Sequence, residues 1–100
     1  MISLTSSAVE AVKAALSQAV RAADGLRLVA GEGARDTLRV MMHLDVARAD
    51  DVVIEQGGLK LFLDDRSQRF ADGLRIDFVT SRAGSGFVIE ADLPHRGLLG

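Results

Sequence analysis

The sequence predicts an α+β protein that is mostly β, with one N-terminal helix packed on a compact mixed arrangement of short strands. Apolar residues recur at helical spacing only near the start of the chain, and from Leu26 onward their period changes to two. A length of 100 residues and a hydrophobic content of 48% suit one folded domain with its own core. We therefore predict a single domain over residues 1–92 and a flexible C-terminal tail over residues 93–100.

The predicted helix begins near Thr5 and Ser7, which are both residue types that cap helix N-termini. Ser7 and Glu10 have the spacing of a capping box, in which each side chain bonds a free backbone amide. Asp24-Gly25 is predicted to end the helix, because glycine adopts the left-handed cap conformation without strain. One apolar stripe runs along the helix and consists of Val9, Val12, Leu16, Ala19 and Val20.

Six segments are predicted as strands, four of them from alternation and two, 52–54 and 87–89, as short apolar runs. They centre on residues 26–28, 38–44, 52–54, 59–63, 74–78 and 87–89. Gln56-Gly57-Gly58 is a predicted turn, and Asp72-Gly73 is a predicted turn of the hairpin type. Residues 64–70 are predicted to form a short helical turn that Asp64 caps.

Composition excludes several classes of partner. The net charge of -2 comes from both signs mixed along the chain, which argues against binding to nucleic acid or to a membrane surface. Only four phenylalanines provide aromatic rings, so no stacking platform for single strands is expected. No apolar run could span a bilayer, the N-terminus does not resemble a signal peptide, and no cysteine is available for a disulfide. These features predict a cytoplasmic protein.

Two glycine-rich segments are candidate anion sites. Gly31-Glu32-Gly33 and Gly84-Ser85-Gly86 both lie between predicted strands. Neither matches a GxGxxG fingerprint and neither precedes a helix, which a phosphate cradle requires. The favoured interpretation is therefore a loop that needs glycine dihedral angles.

The two histidines are the first candidates for a metal site. His43 lies on the polar side of its predicted strand, with no HxxH, HxxxH or histidine–carboxylate spacing near it. His95 lies in the tail beside Pro94 and Arg96. We interpret both as solvated histidines rather than metal ligands.

Carboxylate pairs and serines are the candidates for catalysis. Asp50-Asp51 and Asp64-Asp65 could bind a hard cation or transfer protons, but neighbouring aspartates more often cap turns and form ion pairs. Three serines were considered as nucleophiles, and none has a histidine at a triad spacing: Ser67, Ser81 and Ser85. The sequence therefore predicts no catalytic residue and no enzyme.

The chain resembles the HesB/IscA family of A-type iron–sulfur carriers. The strongest likeness is Phe70–Val79, which contains Asp72-Gly73 and is followed by Gly86-Phe87. Earlier segments match in order: Ile2–Thr5, Gly25–Leu28, Asp51–Leu61 and then Asp64, the family's conserved aspartate. The resemblance implies a HesB-like domain, association with other copies of the chain, and work alongside iron–sulfur assembly proteins.

The chain differs from that family at the positions of the family's metal ligands. The position of its first cysteine is Arg35 here, and the tail around Leu98 and Leu99 replaces its Cys-Gly-Cys. Neither arginine nor leucine offers a lone pair to iron, so a thiolate-held cluster is excluded and no cofactor is predicted. The hypothesis is a degenerate accessory or interaction protein that binds no cluster. The alternative is a mononuclear iron-binding protein, with possible ligands Glu32, Asp36, His43 and His95.

Overall fold

The computed structural model describes residues 2–91, apart from the side chains of Asp36 and Ala91. The predicted tail, with His95, Leu98 and Leu99, lies outside the described residues. The elements in chain order are β1 Ser3–Leu4, α1 Ser6–Ser17, β2 Gly25–Glu32, a 3₁₀ turn Ala34–Asp36, β3 Leu38–Asp45, β4 Val52–Gln56, β5 Leu59–Leu63, α2 Asp65–Ala71, β6 Leu74–Ser81 and β7 Gly84–Ala91.

The strands form two mixed sheets. One has the order β1-β6-β7 and the other β3-β2-β5-β4, with parallel pairing between β1 and β6 and between β2 and β5. Apolar residues of α1 and of both sheets form one core, in which Leu28, Leu61 and Ile76 are fully buried. The predicted α+β class is confirmed, and α2 adds a second, seven-residue helix. In the described part of the chain, neither helix is long and apolar enough to cross a membrane.

Thr5 caps α1, and the predicted capping box at Ser7 and Glu10 is wrong. The Thr5 hydroxyl accepts a hydrogen bond from the Ala8 amide at 3.2 Å and donates one to Asp77 Oδ1 at 2.6 Å. Thr5 has this role because the short pairing of β1 with β6 delivers it opposite Asp77, whereas Ser7 already lies inside the helix. The cap is therefore set by a tertiary contact, which also lowers the pKa of Asp77.

The helix ends before the predicted position. It stops at Ser17, and Val20 is fully exposed, so Asp24-Gly25 does not cap it. Gly25 instead begins β2, where a Cβ atom would collide with the carbonyl oxygen of Lys60 on the neighbouring strand. The glycine is needed for close approach of two strands rather than for a left-handed cap.

The glycine-rich candidates lie mostly in strands: Gly31 and Glu32 end β2, Gly33 begins the β2–β3 loop, and residues 84–86 begin β7. The predicted loops are therefore wrong except at Gly33, and a dihedral angle that favours glycine occurs at Gly84, where φ is 130°. The strand glycines are part of long hairpins, because backbone groups of the neighbouring strand provide their hydrogen-bond partners. The Gly57-Gly58 turn is confirmed, with φ angles of 58° and 83°.

The turn at Asp72-Gly73 has a different place from the predicted hairpin. It joins α2 to β6, since the hairpin partner of β6 is the following strand β7. The Asp64 cap of α2 is confirmed, because its carboxylate accepts the Ser67 amide at 2.6 Å. That bond from the Ser67 backbone also lowers the pKa of Asp64.

One side chain links the two sheets. The carboxamide of Gln56 accepts a hydrogen bond from the Leu4 amide at 2.8 Å and donates one to the Ile2 carbonyl at 2.7 Å. The carboxamide therefore provides hydrogen-bond partners for the backbone on the side of β1 that does not face β6, in the way a neighbouring strand would. Nothing in the local sequence indicated this contact, because Gln56 is more than fifty residues from Leu4.

Candidate functional site at the two ends of the β2–β3 hairpin

The loop at one end of the β2–β3 hairpin is closed by its own backbone and a threonine. The Gly33 amide donates to the Thr37 carbonyl at 2.6 Å, and the Thr37 hydroxyl donates to the Ala34 carbonyl at 2.6 Å. A Cβ atom on Gly33 would lie 2.6 Å from Thr37 Oγ1, so only glycine fits against the threonine. These contacts give the five-residue connection one compact shape.

Arg35 lies at the tip of this loop in an unusual conformation. Its φ of 56° and ψ of 44° are left-handed, and Arg35 is the one non-glycine residue with positive φ among the described residues. Such a conformation costs an L-residue about 1 kcal/mol or more. The exposed Arg35 side chain forms no ion pair in the described part of the chain. The loop geometry therefore persists without any contribution from the arginine head group.

The opposite end of the hairpin contains a buried ion cluster around Arg27. Its guanidinium donates from Nε to Asp45 at 2.5 Å and from both Nη atoms to Asp51 at 2.7 Å each. A further bond at 3.0 Å reaches the Val46 carbonyl, and the ring of Phe62 lies 5.6 Å below the guanidinium carbon. Arg27 is only 4% exposed, so its charge is compensated inside the protein rather than by water.

The electrostatics of this Arg27 cluster are those of a structural site. The hydrogen bonds from Arg27 lower the pKa of Asp51 to about 2 and also lower the pKa of Asp45. The same bonds, led by those to Asp51, raise the pKa of Arg27 above its already high value. All three groups stay charged at neutral pH, so none of them is poised to transfer a proton.

His43 has a carboxylate neighbour that the sequence interpretation missed. Its Nε2 lies 3.6 Å from Asp45 Oδ2, because residues two apart on a strand share one face. His43 is otherwise exposed, as predicted. Period-two counting could have shown this pair, although Asp45 is already committed to Arg27.

Glu32 and His43, the two proposed iron ligands whose side chains the structure describes, do not converge. Glu32 lies opposite Leu38 at one end of β3, whereas His43 is five positions further along that strand, about 17 Å away. The side chain of Asp36 and the whole of His95 are outside the description. Within residues 2–91, no group of three or more histidine, cysteine, aspartate or glutamate residues could hold a metal ion.

The remaining candidates have structural roles. Asp51 belongs to the Arg27 cluster while Asp50 is exposed, and Asp65 pairs weakly with Arg69 at 3.4 Å on the surface of α2. Ser67 is buried, where its hydroxyl accepts the Ala30 amide at 3.0 Å and joins α2 to β2. The Ser81 hydroxyl belongs to the β6–β7 turn, where it donates to the Gly84 carbonyl, and Ser85 is exposed on β7. These contacts bring no serine beside a histidine in the described residues.

The two-sheet α+β fold, with a short loop joining β2 to β3, is the architecture that the family resemblance implies. A family model described as "Iron-sulphur cluster biosynthesis" matches residues 1–94. The chain therefore belongs to the iron–sulfur cluster biosynthesis family, and the resemblance to HesB/IscA proteins is confirmed.

Relatives and solved structures agree with this assignment. The chain is 41% identical to y4vC of Sinorhizobium fredii over 91 residues, which cover 90% of this chain and 86% of y4vC. It is 36% identical to the iron-binding protein IscA of Photorhabdus laumondii over 87 residues, covering 86% and 80% of the two chains. A crystal structure of IscA with the [2Fe-2S] cluster superposes with a TM-score of 0.76 at 20% identity, covering 91% and 85%. The last comparison shows a shared fold.

Proposed function

We propose that this protein is an accessory member of the iron–sulfur cluster biosynthesis family that has lost cluster binding and acts through its surface. The observation that carries the proposal is the β2–β3 loop. Its backbone is closed by Gly33 and Thr37, yet Arg35 stands at the tip where the family resemblance expects a cysteine.

The donor set of this loop does not fit an iron–sulfur cluster. A cluster is held by thiolates, and the chain contains no cysteine at any position. The guanidinium of Arg35 is a cation without a free lone pair, so it repels iron instead of binding it. An exposed threonine hydroxyl and backbone amides are weak substitutes for a soft ligand.

The same residues support a binding role rather than catalysis. Arg27, Asp45 and Asp51 neutralise one another in the Arg27 cluster, and the buried serine Ser67 is occupied by backbone contacts. We therefore propose that the protein is not an enzyme. We place it in the cytoplasm, where its partners would be copies of itself and iron–sulfur assembly proteins.

The accessory role is tested by measuring association with a cysteine-containing member of the family from the same organism. That carrier is loaded with its cluster anaerobically, mixed with this protein, and followed by sedimentation at the visible absorbance of the cluster. We expect the coloured species to sediment as a larger complex whose cluster remains on the carrier. A coloured boundary unchanged by an excess of this protein would contradict the accessory role.

A further inference from the structure

Strand β3 presents an open edge to an apolar groove. Among residues 2–91 it is the outer strand of the four-stranded sheet and pairs with β2 alone. A groove of about 530 Å³ is lined by three consecutive β3 residues, Met42, His43 and Leu44, and across from them by Phe78 and Phe87. Because consecutive strand residues point to opposite faces, a cavity that touches all three runs along the strand edge.

The hydrogen bonds of the hairpin show which backbone groups are free. The carbonyl of Thr37 accepts the Gly33 amide, and the carbonyl of Asp45 accepts the Asp24 amide. The odd-numbered carbonyls of this strand therefore face β2. It follows that the amides and carbonyls of the even residues Val40, Met42 and Leu44 point to the open edge.

The charges on β3 are complementary to those on a second, antiparallel copy of β3. Arg39 and Asp45 carry opposite charges and are placed symmetrically about Met42, three positions on either side. In an antiparallel pair of two β3 strands centred on Met42, each Arg39 lies opposite the Asp45 of the second copy. That carboxylate is bound by Arg27 of its own chain but is still 21% exposed, so it can be shared with a second cation. Arg39 forms no ion pair within the described part of its own chain, so its charge is free for that contact.

We propose that β3 pairs antiparallel with β3 of a second copy, in the register centred on Met42. The proposal rests on the self-association included in the proposed function and specifies its surface. In this register Val40, Met42 and Leu44 of each chain form the hydrogen-bonded pairs, about six bonds in all. The two four-stranded sheets become continuous, and the open edge of β3 is removed.

The other open strands lack this complementarity. Strand β4 carries Glu55 and strand β7 carries Glu90 as their only charged residues, so a two-fold pairing of either strand creates no ion pair. The remaining side of β1 is already occupied by the carboxamide of Gln56. Among the described edges, β3 alone carries charges of both signs.

The groove gives the partner strand an apolar surface to cover. Its floor includes Ala11, Ala14 and Ala15 of α1, whose small side chains leave room for a neighbouring strand. The outer face of β3 also exposes Met41, which is 58% accessible, and this residue would lie opposite His43 of the second copy. Pairing therefore covers apolar surface on both faces of the strand.

Disulfide trapping tests the register directly, because the natural chain has no cysteine. Met41→Cys and His43→Cys are both on exposed positions and would be directly opposite in the pair, with Cα atoms about 4.5 Å apart. We expect a mixture of the two variants to form the mixed disulfide under mild oxidation. Each variant alone should link far less, since its own two cysteines lie about 8 Å apart, beyond disulfide reach.

Controls separate this interface from other contacts. Val88→Cys on β7 should give no disulfide, and efficient linkage there, or equal linkage of Met41→Cys with itself, would overturn the proposal. Arg39→Asp should weaken the dimer about tenfold in sedimentation equilibrium, because it sets two carboxylates opposite each other in two places. Arg39→Lys should retain the dimer, and circular dichroism checks that each variant is folded.

A monomeric, cluster-free protein would end this proposal but leave the loss of cluster binding intact. A dimer that holds a cluster would leave this proposal intact but end the claim that cluster binding has been lost. A dimer whose dissociation is unchanged by Arg39→Asp would also contradict pairing through β3.

Discussion

The two ends of the β2–β3 hairpin are held in different ways. At one end, Arg27 is buried and makes bonds to Asp45, Asp51 and the Val46 carbonyl. At the other end, Arg35 is exposed, adopts a left-handed conformation and makes no ion pair in the described structure. An arginine thus holds one end of the hairpin together through its ion pairs, whereas the arginine at the other end lies at the loop tip without such contacts.

This difference separates the fold of the family from its chemistry. The Arg27 cluster joins β2, β3 and the connection to β4, so its loss would disturb the packing of the whole sheet. The loop around Arg35 is closed by Gly33 and Thr37, whose contacts do not depend on what stands at the tip. The residue at the tip can therefore be exchanged while the protein keeps its structure.

The largest effect is expected from Arg27→Met. Removing the guanidinium leaves the buried Asp51 without its cation, while the partly exposed Asp45 keeps only Arg48, so the free energy of unfolding should fall by about 3–5 kcal/mol. Urea denaturation measures the change. Arg75→Met is the matched control, because it breaks an exposed ion pair with Glu90 and should cost less than about 1 kcal/mol. Equal decreases in the free energy of unfolding of the two variants would contradict the structural difference drawn between the two ends of the hairpin.

The second-largest effect is expected from acid, which should weaken the Arg27 cluster. The pKa of Asp51 is about 2 in the folded protein and near 3.9 when unfolded, so its contribution is complete above the unfolded pKa. That contribution is lost progressively as the pH falls from about 5 towards 2. The urea midpoint should decrease over this range and decrease less steeply in Arg27→Met. Parallel pH profiles for the two proteins would show that other carboxylates cause the decrease.

A smaller effect is expected from Thr37→Val in the loop. The substitution keeps the shape of the side chain but removes the hydroxyl that donates to the Ala34 carbonyl at 2.6 Å. The cost should be about 1 kcal/mol or less, since the exposed Ala34 carbonyl still accepts the Thr37 amide at 3.1 Å. Thr80→Val, at an exposed strand position, is the control and should be close to neutral. A loss as large as that of Arg27→Met would mean that the loop is central to stability.

The smallest effect, and one of opposite sign, is expected from Arg35→Gly. Glycine adopts the left-handed conformation without strain, so the free energy of unfolding should rise by about 0.5 kcal/mol after the entropy cost of glycine. Arg39→Gly in β3 should instead destabilise the protein. Destabilisation by Arg35→Gly would show that the arginine side chain supports the loop.

Local patterns in the sequence predicted much of the fold. Alternation located the strands, and Asp64 correctly marked the start of α2 because its capping partner is only three residues away. The errors occurred where distant residues decide. Thr5 is selected as the α1 cap by Asp77, and Gly25 enters a strand because it approaches Lys60 closely.

The site was predicted less completely than the fold. That Arg35 occupies the position of the family's first cysteine stays a prediction, and nothing in the sequence indicated the left-handed backbone of this residue. The Arg27 cluster was missed because its aspartates are 18 and 24 residues away along the chain. A cation flanked by Leu26 and Leu28 in an apolar strand was the available signal, since a buried arginine requires carboxylate partners.

The central claim is that this chain keeps the family fold without the ability to hold a cluster. Anaerobic reconstitution with ferrous iron and sulfide tests it most directly, with the IscA whose crystal structure contains a [2Fe-2S] cluster treated in parallel. After desalting, we expect no visible cluster absorbance and no protein-bound iron or sulfide above a protein-free sample. Stoichiometric iron and sulfide with cluster absorbance on this chain would contradict the account.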